Sequence, residues 1–216
     1  MVTAPAVNPR PSPLVSWLYD RINGLIFLPP GGSQRIRRQL VEALCIRPGS
    51  DVLELGCGTG LVTAELLGAG AVVTAVDALP EMMLGARKRA PAATFVSGDI
   101  RTIDFGAGRR HVVISFVLHN LSRAERVAIL RRAAAALAPG GTVGVLDWSA
   151  PKSPALATPW RRFVRAVEPS PNVVDVLNGA LVDDAATAGH EVRVARALAN
   201  GRAQLLILAP SSATSP

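Results

Sequence analysis

Val52-Leu53-Glu54-Leu55-Gly56-Cys57-Gly58-Thr59-Gly60 is the stretch on which the reading of this chain turns. A short apolar strand, Asp51–Leu55, runs straight into three alternating glycines, and Leu61–Leu67 then takes a helical pattern. Glycines at such a turn let a ligand approach the backbone, and the helix N-terminus behind them offers free N–H groups. The spacing is Gly-x-Gly-x-Gly. A dinucleotide loop needs its third glycine at position 61, which is Leu61, and a phosphate loop needs a Gly-Lys-Ser/Thr ending that is missing here. Asp77 closes the next strand, about 20 residues beyond Gly56, where an acid can accept both hydroxyls of a ribose. Gly98-Asp99-Ile100 follows the third strand. A strand-end acid on its own is often only a helix cap. Three such sites on successive strand ends converge on one crevice.

Outward from that core, apolar strands alternate with helices. Ala71–Val76 and Ala93–Val96 read as strands around a helix over Glu81–Arg89, and His111–Val117 as a buried strand. Ser122-Arg123-Ala124-Glu125 is a capping box. The helix it opens has Val127, Leu130, Ala134 and Leu137 inward, and Pro139-Gly140-Gly141 closes it before a strand over Thr142–Asp147. Helices are expected near Pro159–Val167 and Val173–Ala188. Strands Glu191–Leu198 and Arg202–Ala209 follow, joined at Asn200-Gly201. Upstream, Leu14, Leu18, Ile22, Leu25 and Ile26 share a helical stripe that Pro29-Pro30-Gly31-Gly32 ends. Ile36, Leu40 and Leu44 form the inner face of a second helix. The expected class is α/β: a mostly parallel sheet covered on both faces, with an antiparallel edge hairpin.

Composition narrows the function. The chain has 216 residues, 49% hydrophobic and 18% charged. That excludes wholesale disorder and suits a substantial core. Apolar runs such as Val112–Leu118 fall short of the roughly 20 residues of a spanning helix. Cys45 and Cys57 make no disulfide framework, and no Cys/His spacing suggests structural zinc. No basic stretch with an apolar core marks an export leader, so the expected compartment is the cytoplasm. Net charge is +7, yet only Lys88 and Lys152 are lysines among 23 basic residues, which reads as coding bias. Arg35/Arg37/Arg38 and Arg161/Arg162/Arg165 read as solvated helix faces rather than a nucleic-acid footprint.

These residues together resemble a class I S-adenosylmethionine-dependent methyltransferase, over about Leu14 to Ala209 and most strongly from Val52 to Asp147. Val52–Gly60 resembles the family's first motif, and Val73–Met83 its second. Gly98-Asp99-Ile100 is similar to the adenine-side motif, and Leu137–Gly141 to the turn before the fifth strand. Tyr19-Asp20-Arg21-Ile22-Asn23 and Glu168-Pro169 resemble the ubiquinone/menaquinone-biosynthesis branch. The resemblance implies a Rossmann-like, doubly wound, seven-stranded sheet with an N-terminal helical lid. Residues 14–209 would be one domain, divided into lid (14–47), cofactor core (51–147), substrate side (148–190) and terminal hairpin (191–209), between a flexible lead (1–13) and tail (210–216).

By that resemblance Glu54, Gly56, Cys57, Gly58 and Gly60 line the methionine part of S-adenosylmethionine, and Asp77 with Ala78 holds the ribose. Leu79 and Met82 sandwich the adenine, Asp99 and the Ile100 backbone read its amino edge, and Ser115 and Phe116 lie by the transferable methyl. Met82 and Met83 could equally be core. His111 stands where the family usually has Asp, and no acid cluster marks a magnesium site, so no metal is expected. His119 is the candidate general base, or else a cap or loop contact. His190 reads as packing. Tyr19 reads as lid residue or helix packing. Asp147-Trp148 faces the substrate side, and Trp160, Phe163 and Val167 either roof an apolar pocket or pack in the core. The expected activity is methyl transfer to a small, apolar or aromatic molecule at C, O or N, without nucleic-acid partner or membrane insertion. The alternatives are a protein that binds the cofactor without transfer, such as a repurposed cyclase, a nucleic-acid methyltransferase, and a nicotinamide oxidoreductase, against which the glycine spacing speaks.

Overall fold

The computed structural model describes residues 32–168 and 170–211. The Leu14–Ile26 stripe, the Tyr19–Asn23 segment and Pro169 lie outside them, as do residues 1–13 and 212–216. In chain order the elements are α1 (Gly32–Ala43), β1 (Asp51–Leu55), α2 (Leu61–Gly68), β2 (Val72–Asp77), α3 (Pro80–Arg89), β3 (Thr94–Ser97) and β4 (Arg109–Ser115). A one-turn 3-10 segment (Leu118–Asn120) leads to α4 (Arg123–Ala136) and β5 (Leu137–Trp148). Then come α5 (Pro154–Val167), α6 (Val173–Leu177), α7 (Ala180–Thr187), β6 (His190–Leu198) and β7 (Ala203–Pro210).

The strands form one seven-stranded sheet in the order β3-β2-β1-β4-β5-β7-β6. The first five are parallel; β7 runs antiparallel between β5 and β6. Val52, Leu53 and Leu55 of β1 and Val112–Ile114 of β4 are almost inaccessible. Continuous apolar runs of this kind are what a strand covered on both faces requires. Chain order reverses between β1 and β4, so the connections that leave these neighbours diverge and open a crevice at their carboxyl ends. That is where the glycine loop and Ser115-Phe116 emerge.

Several local expectations are corrected. Helix α4 ends at Ala136, and Leu137 is already extended (φ −73°, ψ 143°) and paired with Arg109. Pro139-Gly140-Gly141 therefore bends a strand instead of ending a helix, with Gly140 at φ +72°. Ala133 and Ala136 take the buried places on α4, while Ala134 and Leu137 are half-buried. The expected 173–188 helix is split into α6 and α7 by Gly179 at φ +92°, a backbone setting glycine adopts without strain. Strand β4 stops at Ser115, two residues early, because Phe116 turns to φ +53°. The final turn is wider than Asn200-Gly201 alone, since Leu198 pairs with Ala203. The capping box forms as expected: Ser122 N donates to Glu125 Oε2 (2.8 Å), and Glu125 N donates to Ser122 Oγ (3.4 Å).

Candidate active site

The three glycines do different work. A side chain on Gly56 (φ +77°) would place its Cβ 2.3 Å from Val117 Cγ2, and one on Gly60 (φ +81°) 2.8 Å from the Ala86 Cα. Those two permit the loop to pack against β4's exit and against α3. Gly58 (φ +52°) has only Met82 Cε, 3.8 Å from such a Cβ, so it opens onto the crevice. The loop is held in shape by Gly56 N and Cys57 N, which both donate to Val76 O (2.8 and 2.9 Å).

Asp77 locks onto that loop. Gly58 N donates to its Oδ2 at 2.7 Å, and Leu79 N to its Oδ1 at 2.9 Å. A carboxylate offers about four acceptor positions, so the rest can serve a vicinal diol. Burial raises its pKa, against the opposing pull of the Leu79 and Gly58 N–H groups. Next along, Ala78 is exposed and Leu79 half-buried, and the two methionines separate: Met83 is core, whereas Met82 is half-buried over Gly58. Asp99 is gripped by Arg101 through Nε (3.0 Å), Nη2 (2.6 Å) and the backbone N (2.9 Å), which holds its carboxyl below the usual range. Ile100 is buried, and its carbonyl accepts from Arg132 Nη1 at 2.8 Å.

On the other side of the glycine loop, Glu54 is 1% exposed and accepts from Thr63 Oγ1 at 2.6 Å. Burial pushes its carboxyl up to about 8, with Thr63 and the charge of Arg37 acting in the opposite sense. Burial, reinforced by Glu54 and Asp77, likewise pushes the Cys57 thiol up, so it is no nucleophile near neutrality. Arg37 was read as part of a solvated face. It is buried instead, with its guanidinium 5.5 Å over the Phe116 ring. Phe116 stands at the end of β4 in a left-handed conformation that few non-glycine residues adopt, and its N donates to Leu146 O at 2.7 Å. From it a ladder of aromatic rings runs outward: Phe116 to Trp148 (5.0 Å), Trp148 to Trp160 (5.9 Å) and Trp160 to Phe163 (5.6 Å, stacked). Trp160 is pinned by donation from Nε1 to Ser149 O at 2.7 Å.

The histidines sort by environment. His111, in the amino half of β4, is buried with Nδ1 2.9 Å from Thr142 Oγ1, and burial pulls its imidazole down to about 4. His190 is buried at the start of β6, with Nε2 2.9 Å from Leu130 O. His119 lies at the carboxyl edge, as expected, but both ring nitrogens face partners: Asp147 Oδ1 at 2.8 Å, Asn120 Nδ2 at 3.0 Å and Glu168 Oε2 at 3.6 Å. Burial alone pulls the ring down; the Asp147 and Glu168 carboxylates outweigh it and raise it to about 9. The raised pKa favours the charged ring, and both nitrogens already face partners, which counts against a general-base role. No group of three or more acids, histidines or cysteines among the described residues is arranged to hold a metal ion.

Glu54, the glycines, Asp77, Leu79, Met82, Ser115 and Phe116 thus gather around the ends of β1, β2 and β4, with Asp99 and Ile100 beyond β3. Tyr19 lies outside the described residues. Arg37 and Thr63 had been missed. Arg37 shares the stripe of Val41 and Leu44 at helical spacing, the one sign that it points inward.

Residues 52–141 match the family described as Methyltransferase domain. An uncharacterised methyltransferase of Synechocystis is 31% identical over 195 residues, covering 85% of this chain and 92% of that protein. The demethylmenaquinone methyltransferase of Beutenbergia cavernae is 32% identical over 182 residues, covering 76% and 71%. That of Mycobacterium tuberculosis H37Rv is 32% identical over 186 residues, covering 81% and 76%. Among solved structures, a TehB-like SAM-dependent methyltransferase from Corynebacterium glutamicum superposes with a TM-score of 0.67 at 18% identity, over 93% of this chain and all of that one. Magnesium protoporphyrin IX methyltransferase from Synechocystis with bound SAH gives 0.62 at 19% identity, over 82% and 83%. At such identities these two speak for the fold alone.

Proposed function

Because this chain belongs to the S-adenosylmethionine-dependent methyltransferases, we propose that it transfers the cofactor's methyl group to a small apolar or aromatic acceptor. The observation that carries the acceptor class is the half-buried Phe116 at the end of β4, backed by the fully buried Trp148 and continued by the half-buried Trp160, an aromatic ladder read as the apolar side of the crevice. Residues 148–190 form the acceptor side in this reading and 51–147 the cofactor side.

The residues present suit the cofactor. Gly58 leaves the crevice floor open, Asp77 keeps acceptor capacity for ribose hydroxyls, and Leu79 and Met82 offer an apolar slot for adenine. Asp99 and the Ile100 backbone take the amino edge of the ring. Glu54 takes the methionine ammonium, and Ser115 and Phe116 border the methyl. When bound, the cofactor supplies an electrophilic methyl on a sulfonium. The chain's own contribution is to hold the acceptor's nucleophilic atom in line and to exclude water. With His119 engaged by Asp147 and Glu168, this reading gives it no part in proton removal, and the acceptor arrives as a nucleophile or loses its proton elsewhere.

Incubation with methyl-labelled S-adenosylmethionine tests this, using reduced demethylmenaquinone, simpler naphthols and nucleic acid as acceptors. Label in the organic extract supports the reading. Label only in nucleic acid overturns it, and binding without transfer to any of them favours a cofactor-binding protein instead.

A further inference from the structure

His119 is placed like a fastening. It sits in the 3-10 turn that follows β4, 1% exposed, between two carboxylates carried by different elements. Asp147, near the end of β5, meets Nδ1 at 2.8 Å. Glu168, the first residue past α5, faces Nε2 at 3.6 Å. The grip is repeated along the same two segments: Ser170 Oγ donates to His119 O at 3.0 Å, and Asn172 Nδ2 to Asn120 O at 3.4 Å. Alternate side chains leaving α5, at 168, 170 and 172, thus hold the turn that leaves β4. Asp147 is anchored in addition by its own neighbours, accepting from Trp148 N at 2.7 Å and His119 N at 3.2 Å.

A buried histidine with only a packing role needs one or two neutral partners, as His190 has in Leu130 O. Burying two carboxylates against one ring is costly unless the ring carries charge between them. The arrangement also lies next to the apolar wall. Trp148 follows Asp147 directly, stands edge-on to the His119 ring at 6.3 Å, and carries Phe116 on one side and Trp160 of α5 on the other. The fastening and the aromatic ladder are therefore in contact through Trp148.

We infer that His119 is a positioning residue, a clasp whose imidazole ties the end of α5 to the strand ends beside the methyl and so fixes the aromatic wall against which the acceptor rests. The inference rests on the reading of that wall as the acceptor side. The charged groups that face the ring are Asp147 from β5 and Glu168 from the end of α5; Asn120 and Trp148 are neutral. With its pKa raised to about 9, the ring is a cation through the neutral range, donating from Nδ1 to Asp147 and facing Glu168 across 3.6 Å as an ion pair. Asn120 Nδ2, 3.0 Å from Nε2, suits the neutral ring, which can accept from it; a half-turn of the amide presents its oxygen to the cation. Above about pH 9 the clasp loses its charge and its attraction for Glu168, leaving Ser170 and Asn172 to hold the end of α5.

The test uses the whole chain with S-adenosylhomocysteine as probe. Ring 15N shifts report the state of His119, and hydrogen exchange reports α5. In the wild type both ring nitrogens are expected to carry protons at pH 7, and the ring to titrate near 9. The protection of α5, measured against that of α2 as an internal reference, should fall through the same range. His119→Gln is expected to speed α5 exchange roughly tenfold or more while α2 stays protected, and to abolish the pH dependence, with cofactor affinity within about twofold of wild type. Glu168→Gln, at the rim, should loosen α5 and lower the ring's titration point; it carries the test if His119→Gln does not fold. A ring that is neutral at pH 7 overturns the clasp. So does exchange that rises equally in α2 and α5 in the variants, the mark of a residue that only stabilises the fold. Failure of S-adenosylhomocysteine to bind the wild type would instead strike the functional reading, and the ring and exchange measurements would still stand without it.

Discussion

The backbone N–H of Gly58 donates to the carboxylate of Asp77 at 2.7 Å, and through this bond the loop after β1 is built on the end of β2. The acid proposed to hold the ribose also sets the height of the glycine that lets the cofactor approach. Leu79 N caps the other oxygen at 2.9 Å, so one side chain organises the loop, the diol site and the start of α3.

Asp77→Ala therefore has two consequences. It leaves two backbone N–H groups without their acceptor, at a cost of about 1–3 kcal/mol. It also removes the diol's partner, so S-adenosylhomocysteine affinity should fall by more than the stability loss explains. Calorimetric titration beside a denaturant melt separates the two. Unchanged affinity would take Asp77 out of the ribose site.

The glycines separate by the same logic. Gly60→Ala drives a methyl to 2.8 Å from the Ala86 Cα at φ +81°, where backbone must move, so melting temperature should drop sharply. Gly58→Ala meets only the flexible end of Met82 at 3.8 Å. The left-handed backbone costs it roughly 1–2 kcal/mol. The fold should survive, while S-adenosylhomocysteine binding weakens because the methyl occupies the crevice floor. A Gly58→Ala protein that binds as well as wild type would place the cofactor elsewhere.

The cofactor half of this site was legible because its signals are local. Continuous apolar strands, alternating glycines and an acid at the next strand end each sit within a few residues of their cause. Element ends were harder to read. Pro139-Gly140-Gly141 breaks a helix in any context, and only the pairing of Leu137 with Arg109 shows the chain to be extended already. The pattern over Val173–Ala188 reads as one helix, and only the φ of +92° at Gly179 divides it. His119 was singled out by position, but its role depends on Asp147, 28 residues away, and on Glu168 beyond that. Short-range periodicity carries no information about such pairings. Arg37 belongs to a basic run that reads as a solvated face, yet it turns inward while Arg35 and Arg38 are exposed.

Glu54 gives a proton-linkage prediction. With its carboxyl raised to about 8 by burial, it is mostly protonated at pH 7 in the free protein. The ammonium and sulfonium charges proposed to lie beside it favour the carboxylate, so binding should expel a proton near neutrality. Titration of S-adenosylmethionine at pH 7 in buffers of different ionisation enthalpy should show release approaching one proton. Glu54→Gln should remove that release. Proton uptake, or no linkage in the wild type, would mean that the cationic end of the ligand does not reach Glu54.

The two raised groups also predict how stability varies with pH, in separable windows. Glu54 has a folded pKa of about 8 against an ordinary 4.5, so its neutral form suits the fold, and the associated stability is complete below 4.5 and lost as pH rises through about 8. His119 has a folded pKa of about 9 against 6.5. Its contribution is complete below 6.5 and disappears as pH rises through about 9. A shift of that size is on the order of 3 kcal/mol. Wild-type unfolding free energy should therefore decline from about pH 4.5 to about 9, most steeply between 6.5 and 8 where both groups contribute. In Glu54→Gln the decline should be smaller up to about 8 and persist from 8 to 9. In His119→Gln the protein should be weaker at pH 6, and its gap to wild type should narrow as pH rises through about 9, since the wild-type ring then loses its charge and keeps a single N–H for Asp147. A constant gap between the His119→Gln and wild-type curves at every pH would show that the imidazole contributes packing alone.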